Sequence, residues 1–333
     1  YDRGGSGCLF NPGAQEGCAM SQASNPSGTS WHFEGWDPAN LDTPSVQNLL
    51  QGAVGPRPVA LASTINPRGE VNLSPFSFFN VFSANPPVLI FSPALRVRDG
   101  SSKHTLRNVM EIPEVVIQVV PFALVEQVSL ASSEYAEGVN EFQKAGLTAW
   151  PSLKVAPPRV AESPVHMECK VLEVKPLGTG GGAGNLVICE VVYFHVAREV
   201  LLPTGSIDPY AVDAVARLGG DWYTRSSVGL FEVEKPLRTC GIGVDALPIW
   251  LQEIGTLNGN RLARLGNQPT IPTMERSRAI FLEQFPARAF EPTSPEGRAE
   301  LALRISLLLD QGRTEQALAL AMMGKEEGGQ VEG

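Results

Sequence analysis

Between residues 56 and 109, hydroxyl, amide and cationic side chains recur at the ends of apolar runs. They are Ser63 and Thr64, then Ser77 and Asn80 within Ser74-Pro-Phe-Ser-Phe-Phe-Asn80, then Ser92 after Val88-Leu-Ile-Phe91, and finally Lys103-His104-Thr105. Ser101-Ser102 ahead of Leu106, Val109 and Met110, with Pro113 beyond, predicts a short helix capped by the serines. A helix start presents free N–H groups and positive potential, which suits a phosphate, and Lys103 and Thr105 fall in that first turn. Serine and asparagine at strand ends suit a ring with imide and carbonyl edges. The same residues also admit a plain structural reading, in which the serines cap, Lys103 is solvated and the Ser and Asn residues form turns.

Other chemistries find no support. Gly178-Thr-Gly-Gly-Gly-Ala-Gly184 fits the spacing of a dinucleotide fingerprint, but the apolar strand run Leu186 to Val196 follows it, where a fingerprint must open a helix. It reads as a flexible hairpin loop. No G-x-x-x-x-G-K-[ST] loop and no G-x-S-x-G elbow occurs. The four histidines, His32, His104, His166 and His195, have no metal-ligand spacing, so no metal site is expected.

The elements that must position these residues are mostly strands. Pro58 to Thr64 and Glu70 to Ser74 flank Asn66-Pro-Arg-Gly69, which has turn chemistry, and so predict a hairpin. Val88 to Ser92 and Val115 to Val120 predict two more strands. Val165, Met167, Cys169 and Val171 alternate with His166, Glu168 and Lys170, which predicts a strand with one wet face. Beyond about residue 235 the pattern turns helical. Ser294-Pro-Glu296 opens a helix with Leu301, Ile305 and Leu308 on one side, and a second runs from about Thr314 to Met323.

Composition sets the frame. The 333 residues are 43% apolar and 18% charged, enough to bury a sizeable core. Glycine (33) and proline (27) favour turns and short strands over a bundle. A net charge of -9 without a basic cluster argues against nucleic acid. Five cysteines with no C-x-x-C pair read as reduced thiols. No apolar run reaches the ~18 residues needed to span a membrane, and no signal peptide is visible, so a cytoplasmic protein is expected. Residues 1–30 read as a disordered arm or leader.

Several segments, in order, resemble the flavin reductase-like family. They are Arg57-Pro58 with Ser63-Thr64, Pro75-Phe-Ser-Phe-Phe-Asn80, Pro86-Pro87, Lys103-His-Thr-Leu-Arg-Asn108, Asn140-Glu-Phe142, Ala145-Gly-Leu-Thr148, Glu168-Cys169 and Arg217-Leu-Gly-Gly220. The resemblance covers roughly residues 45 to 230. It implies an FMN-binding split β-barrel, usually a homodimer with flavin near the subunit interface. Carried over, Ser63, Thr64, Ser77, Phe79 and Asn80 line the isoalloxazine and ribityl chain, and Ser92, Lys103 and Thr105 hold the phosphate. His104 departs from the aspartate of many relatives and offers a phosphate donor when protonated. His195 is either a hydrogen-bonded strand histidine or a group facing the flavin or nicotinamide. Asp221-Trp-Tyr223 either packs ordinarily or rests on the cofactor.

The expected fold is therefore mainly β, with a disordered arm (1–30), a split-barrel domain (31–235) with peripheral helices, and a mostly helical C-terminal extension (236–333) resembling that of a long subgroup of the family. The expected activity is hydride transfer from NADH or NADPH to FMN, a step that needs no obligatory acid–base residue. A flavoredoxin-like electron carrier and an oxygen-dependent oxidase are the alternatives. The expected partners are flavin and nicotinamide nucleotides, a second copy of the chain, and an acceptor monooxygenase or redox protein.

Overall fold

The computed structural model describes residues 32–233, 235–236, 240–286 and 290–325. The expected arm and residues 326–333 lie outside them. The chain forms two compact units that divide between Leu230 and Phe231.

The first unit is mainly β. Its strands are β1 (Arg57–Pro58), β2 (Ala60–Ile65), β3 (Val71–Phe76), β4 (Phe79–Ala84), β5 (Pro87–Phe91), β6 (Glu114–Val119), β7 (Ala149–Trp150), β8 (Arg159–Val160), β9 (Val165–Pro176), β10 (Asn185–Val196), β11 (Val215–Arg217) and β12 (Tyr223–Arg225). Seven form an antiparallel sheet in the order β3-β2-β6-β9-β10-β5-β4. The others make a three-stranded sheet, β1-β11-β12, and the pair β7-β8. Around them lie α1 (Thr43–Ala53), α2 (His104–Glu111), α3 (Val125–Ala131), α4 (Glu141–Ala145) and α5 (Pro209–Val212).

The predicted hairpin is β2-β3. Asn66 O accepts from Gly69 N at 2.9 Å, and Asn66 Oδ1 accepts from the N–H groups of Arg68 and Glu70. Gly69 takes φ +80°, a conformation that favours glycine. β2 is buried almost throughout because cores lie on both sides of it. Ala60 and Ala62 enter one with Phe91, Leu106, Ile117 and Val187, while Leu61 enters another with Leu73, Leu124 and Phe142.

Two expectations fail locally. Met110 does not share the apolar side of α2 with Leu106 and Val109, since it is 68% exposed. The alternating strand β9 has no wet face at His166 and Glu168. Both are buried, because residues 151–160 cover that side of the strand.

The second unit contains α6 (Trp250–Glu253), α7 (Gly259–Gly266), α8 (Met274–Gln284), α9 (Pro295–Asp310) and α10 (Thr314–Met323). Ser294 caps α9 by accepting from Gly297 N, and Leu301, Ile305 and Leu308 are buried, as the sequence predicts. Trp250 anchors the unit's core through Nε1, which donates to Ala321 O at 3.1 Å. Among the described residues, no helix is long and apolar enough to cross a membrane.

The glycine run between β9 and β10 is seated rather than free. Leu95 N donates to Ala183 O, Gly182 N donates to Leu95 O, and Asn185 Nδ2 donates to Pro93 O. A Cβ on Gly181 would meet Val97 O at 2.6 Å, whereas one on Gly180 would meet nothing within 4 Å. Gly181→Ala should therefore lower the stability of this unit by about 1–3 kcal/mol, and Gly180→Ala should be neutral or slightly stabilising. Paired melting curves check this. Equal melting of the two variants would contradict the seating.

Candidate functional site

The start of α2 is placed by a buried chain of polar groups. Asn140 caps α4 by accepting from Phe142 N, which leaves Glu141 buried against β3. Glu141 Oε2 accepts from Leu73 N at 3.0 Å and Oε1 accepts from Asn72 Nδ2 at 2.8 Å. Asn72 Oδ1 in turn accepts from Thr105 Oγ1 at 2.7 Å. One turn later, Asn108 Nδ2 donates to Thr64 Oγ1 at 3.1 Å. These bonds dock α2 onto the β2-β3 hairpin.

Lys103 stands at the N-cap position of α2 and has no side-chain cap bond. The expected caps, Ser101 and Ser102, serve otherwise. Arg96 Nη1 donates to Ser101 Oγ and to Ser102 O, both at 3.0 Å, and Ser101 Oγ donates to Asp99. The Lys103 ammonium lies 5.2 Å from the centre of the Phe76 ring, a cation–π approach. No carboxylate among the described residues reaches it at ion-pair distance. Burial, and then the neighbouring Arg96, push its pKa below the ordinary lysine value.

Lys103 and Arg96 line one cleft of about 370 Å³, with Phe78, Arg98, Glu134 and Gly182 on its walls. Ser92 leads into the segment that carries Arg96, its N–H bonded to Phe78 O at 2.8 Å. A Cβ on Gly184 would come within 2.7 Å of the Ser92 hydroxyl, so glycine is needed for that approach. Arg96 was not among the residues expected from sequence, although two arginines, Arg96 and Arg98, just before a helix start are a visible sign of an anion site.

The other expected residues divide by depth. Ser77 and Ser92 are half-buried and Asn80 is exposed, so their side chains reach the surface. Phe79 packs partly against the core beside Phe91. Ser63, Thr64 and Thr105 are buried. The hydroxyls of Thr64 and Thr105 are engaged within the protein, whereas Ser63 Oγ has no partner. At His104, burial and Arg107 push the imidazole's pKa down, which favours the neutral ring over the protonated phosphate donor.

His195 belongs to a separate cluster. Its Nε2 lies 2.6 Å from Glu168 Oε1, and its ring packs 4.7 Å from Tyr193. Glu168 also accepts from Leu153 N at 2.8 Å and from Lys154 N. Tyr223 sits under Arg217, which donates to its hydroxyl at 3.0 Å, while Trp222 is exposed. Cys169 and Cys189 are buried free thiols and Cys240 is an exposed one.

Burial pushes the Glu168 pKa up, but the donors Leu153, His195 and Lys154 outweigh it and hold the carboxyl below its ordinary value. Its stabilisation is thus full above the unfolded pKa and is lost as pH falls through the folded one. Glu168→Gln should cost about 2–4 kcal/mol at neutral pH, with the difference from wild type shrinking on acidification. Urea unfolding across the acid range checks this. A difference independent of pH would contradict it.

Comparisons with known proteins bear on this geometry. A family model described as "Flavin reductase like domain" matches residues 54–207. An uncharacterized protein of Halalkalibacterium halodurans is 40% identical over 202 residues, 60% of this chain and 95% of that one. Nitrilotriacetate monooxygenase component B from Bacillus cereus superposes with a TM-score of 0.57 at 29% identity, covering 62% of this chain and all (100%) of that one. A structure from Shewanella frigidimarina, described as having a split barrel domain, gives a TM-score of 0.52 at 27% identity, over 59% of this chain and 95% of that one.

Proposed function

The chain belongs to the flavin reductase-like family and has its split-barrel fold, and from that premise we propose that it binds FMN and passes it a hydride from NADH or NADPH. The observation that carries the reading is Lys103, a desolvated cation without a carboxylate partner, beside Arg96 in an open cleft. Leaving a cation desolvated and unpaired is unfavourable, and a bound phosphate removes that cost.

In this reading Lys103 and Arg96 hold the phosphate, joined by the free N–H groups at the start of α2. Ser77, Phe79, Asn80 and Ser92 line the ring and ribityl chain. Thr64 and Thr105 act from beneath, fixing α2 against the hairpin so that Lys103 points into the cleft. When bound, FMN supplies the redox chemistry, and the protein supplies position and charge. Glu168, whose carboxylate also meets His195, keeps the stretch at Leu153 and Lys154 against the sheet.

A homodimer is part of the proposal. β4 exposes Val81 and Phe82, and β10 exposes Tyr193 and Phe194, apolar surface that a second copy would cover. An acceptor monooxygenase or redox protein then takes electrons from the reduced flavin. A cytoplasmic setting, where thiols stay reduced, accords with the buried free cysteines.

Anaerobic mixing of the FMN-loaded protein with NADH or NADPH should bleach the flavin band rapidly. Bleaching no faster than that of free FMN would favour an electron carrier. Lys103→Ala should weaken FMN binding by about tenfold to a hundredfold while leaving riboflavin nearly unaffected. Binding should raise the depressed Lys103 pKa, so wild-type FMN affinity should fall as pH rises past the free-protein value, with proton uptake visible by calorimetry. Equal losses for FMN and riboflavin would move the phosphate elsewhere.

A further inference from the structure

One carboxylate sits among the cations of the cleft. Glu134 Oε1 lies 3.2 Å from Arg96 Nε, and its Oε2 lies 3.4 Å from Arg98 Nη2. The nearby acids are otherwise engaged: Glu141 is bonded to Asn72 and Leu73 N, and Asp99 to Ser101. The Arg96 side chain is 19% exposed, and its Nη1 edge is taken by Ser101 and Ser102. Glu134 therefore covers the Nε edge that an incoming phosphate would need. At 57% exposure, Glu134 itself is free to swing toward water.

Resting on the reading that this cleft holds the flavin phosphate, we infer that Glu134 is the phosphate's built-in competitor and sets how readily FMN exchanges. In the free protein it pairs with Arg96 and shares Arg98 with Asp99. With FMN bound, its charge stands beside the phosphate and repels it. Of the two pairs Glu134 surrenders, the one with Arg98 is exposed and contributes little by itself, and the phosphate takes its place on Arg96. The like-charge repulsion acts well within a Debye length of the phosphate, so salt weakens it without abolishing it. Removing the charge while keeping the side chain's shape should thus tighten FMN binding by on the order of tenfold. Riboflavin has no phosphate and should not respond.

The test is Glu134→Gln against wild type, titrated with FMN and with riboflavin by flavin fluorescence, with dissociation followed by stopped flow. The expected result is an FMN Kd about tenfold lower, mostly through slower dissociation, an unchanged riboflavin Kd, and a gain that shrinks with added salt. A misfolded variant does not bind more tightly, so damage to the fold cannot imitate this outcome. FMN affinity unchanged or weakened, or a gain shared equally by riboflavin, would overturn the inference. If wild type binds FMN no better than riboflavin, the phosphate reading itself fails and the role of Glu134 falls with it. If wild type prefers FMN and the variant gains nothing, the role of Glu134 alone is lost.

Discussion

The buried chain from Glu141 through Asn72 to Thr105 fixes where α2 begins, and the rest of the site follows from that point. Glu141 is 3% exposed, so its carboxylate must be met by donors, and Asn72 and Leu73 N meet it. Asn72 then has one acceptor left for Thr105. Losing any member would leave a buried polar atom without a partner, which costs more than the bond contributes when made. The helix start is thus held to the hairpin by groups that do not touch the cleft.

Lys103 is placed at the cleft by this docking. The Phe76 ring partly compensates its desolvation. Arg96 comes from a different direction, on a segment that the glycine run of residues 178–184 presses into position. Two independently supported cations thus line one cleft, and an exposed carboxylate from the loop after α3 pairs with one of them.

Much of this was legible in the sequence. The Asn66 to Gly69 turn, the short helix before Pro113 and the Ser294-capped α9 follow from local chemistry, and the structure shows each of them. The ordered motifs placed Ser63 and Thr64 on the hairpin and Lys103 and Thr105 at the start of α2. What escaped was burial from a distance. Alternation along β9 cannot reveal that residues 151–160 cover its polar side, so Glu168 and His166 read as solvated. Ser101 and Ser102 looked like caps because nothing local shows Arg96 folding back on them. The glycine run looked slack because its neighbours, Val97 and Ser92, lie far away in the chain.

The most direct measurement is diffraction from crystals of the protein grown with FMN. The account predicts the phosphate within hydrogen-bond distance of Lys103 Nζ and the Arg96 guanidinium at the start of α2, with the Glu134 carboxylate displaced from Arg96 Nε. A phosphate bound elsewhere, with Lys103 still unpaired and the Arg96–Glu134 pair intact, would contradict it.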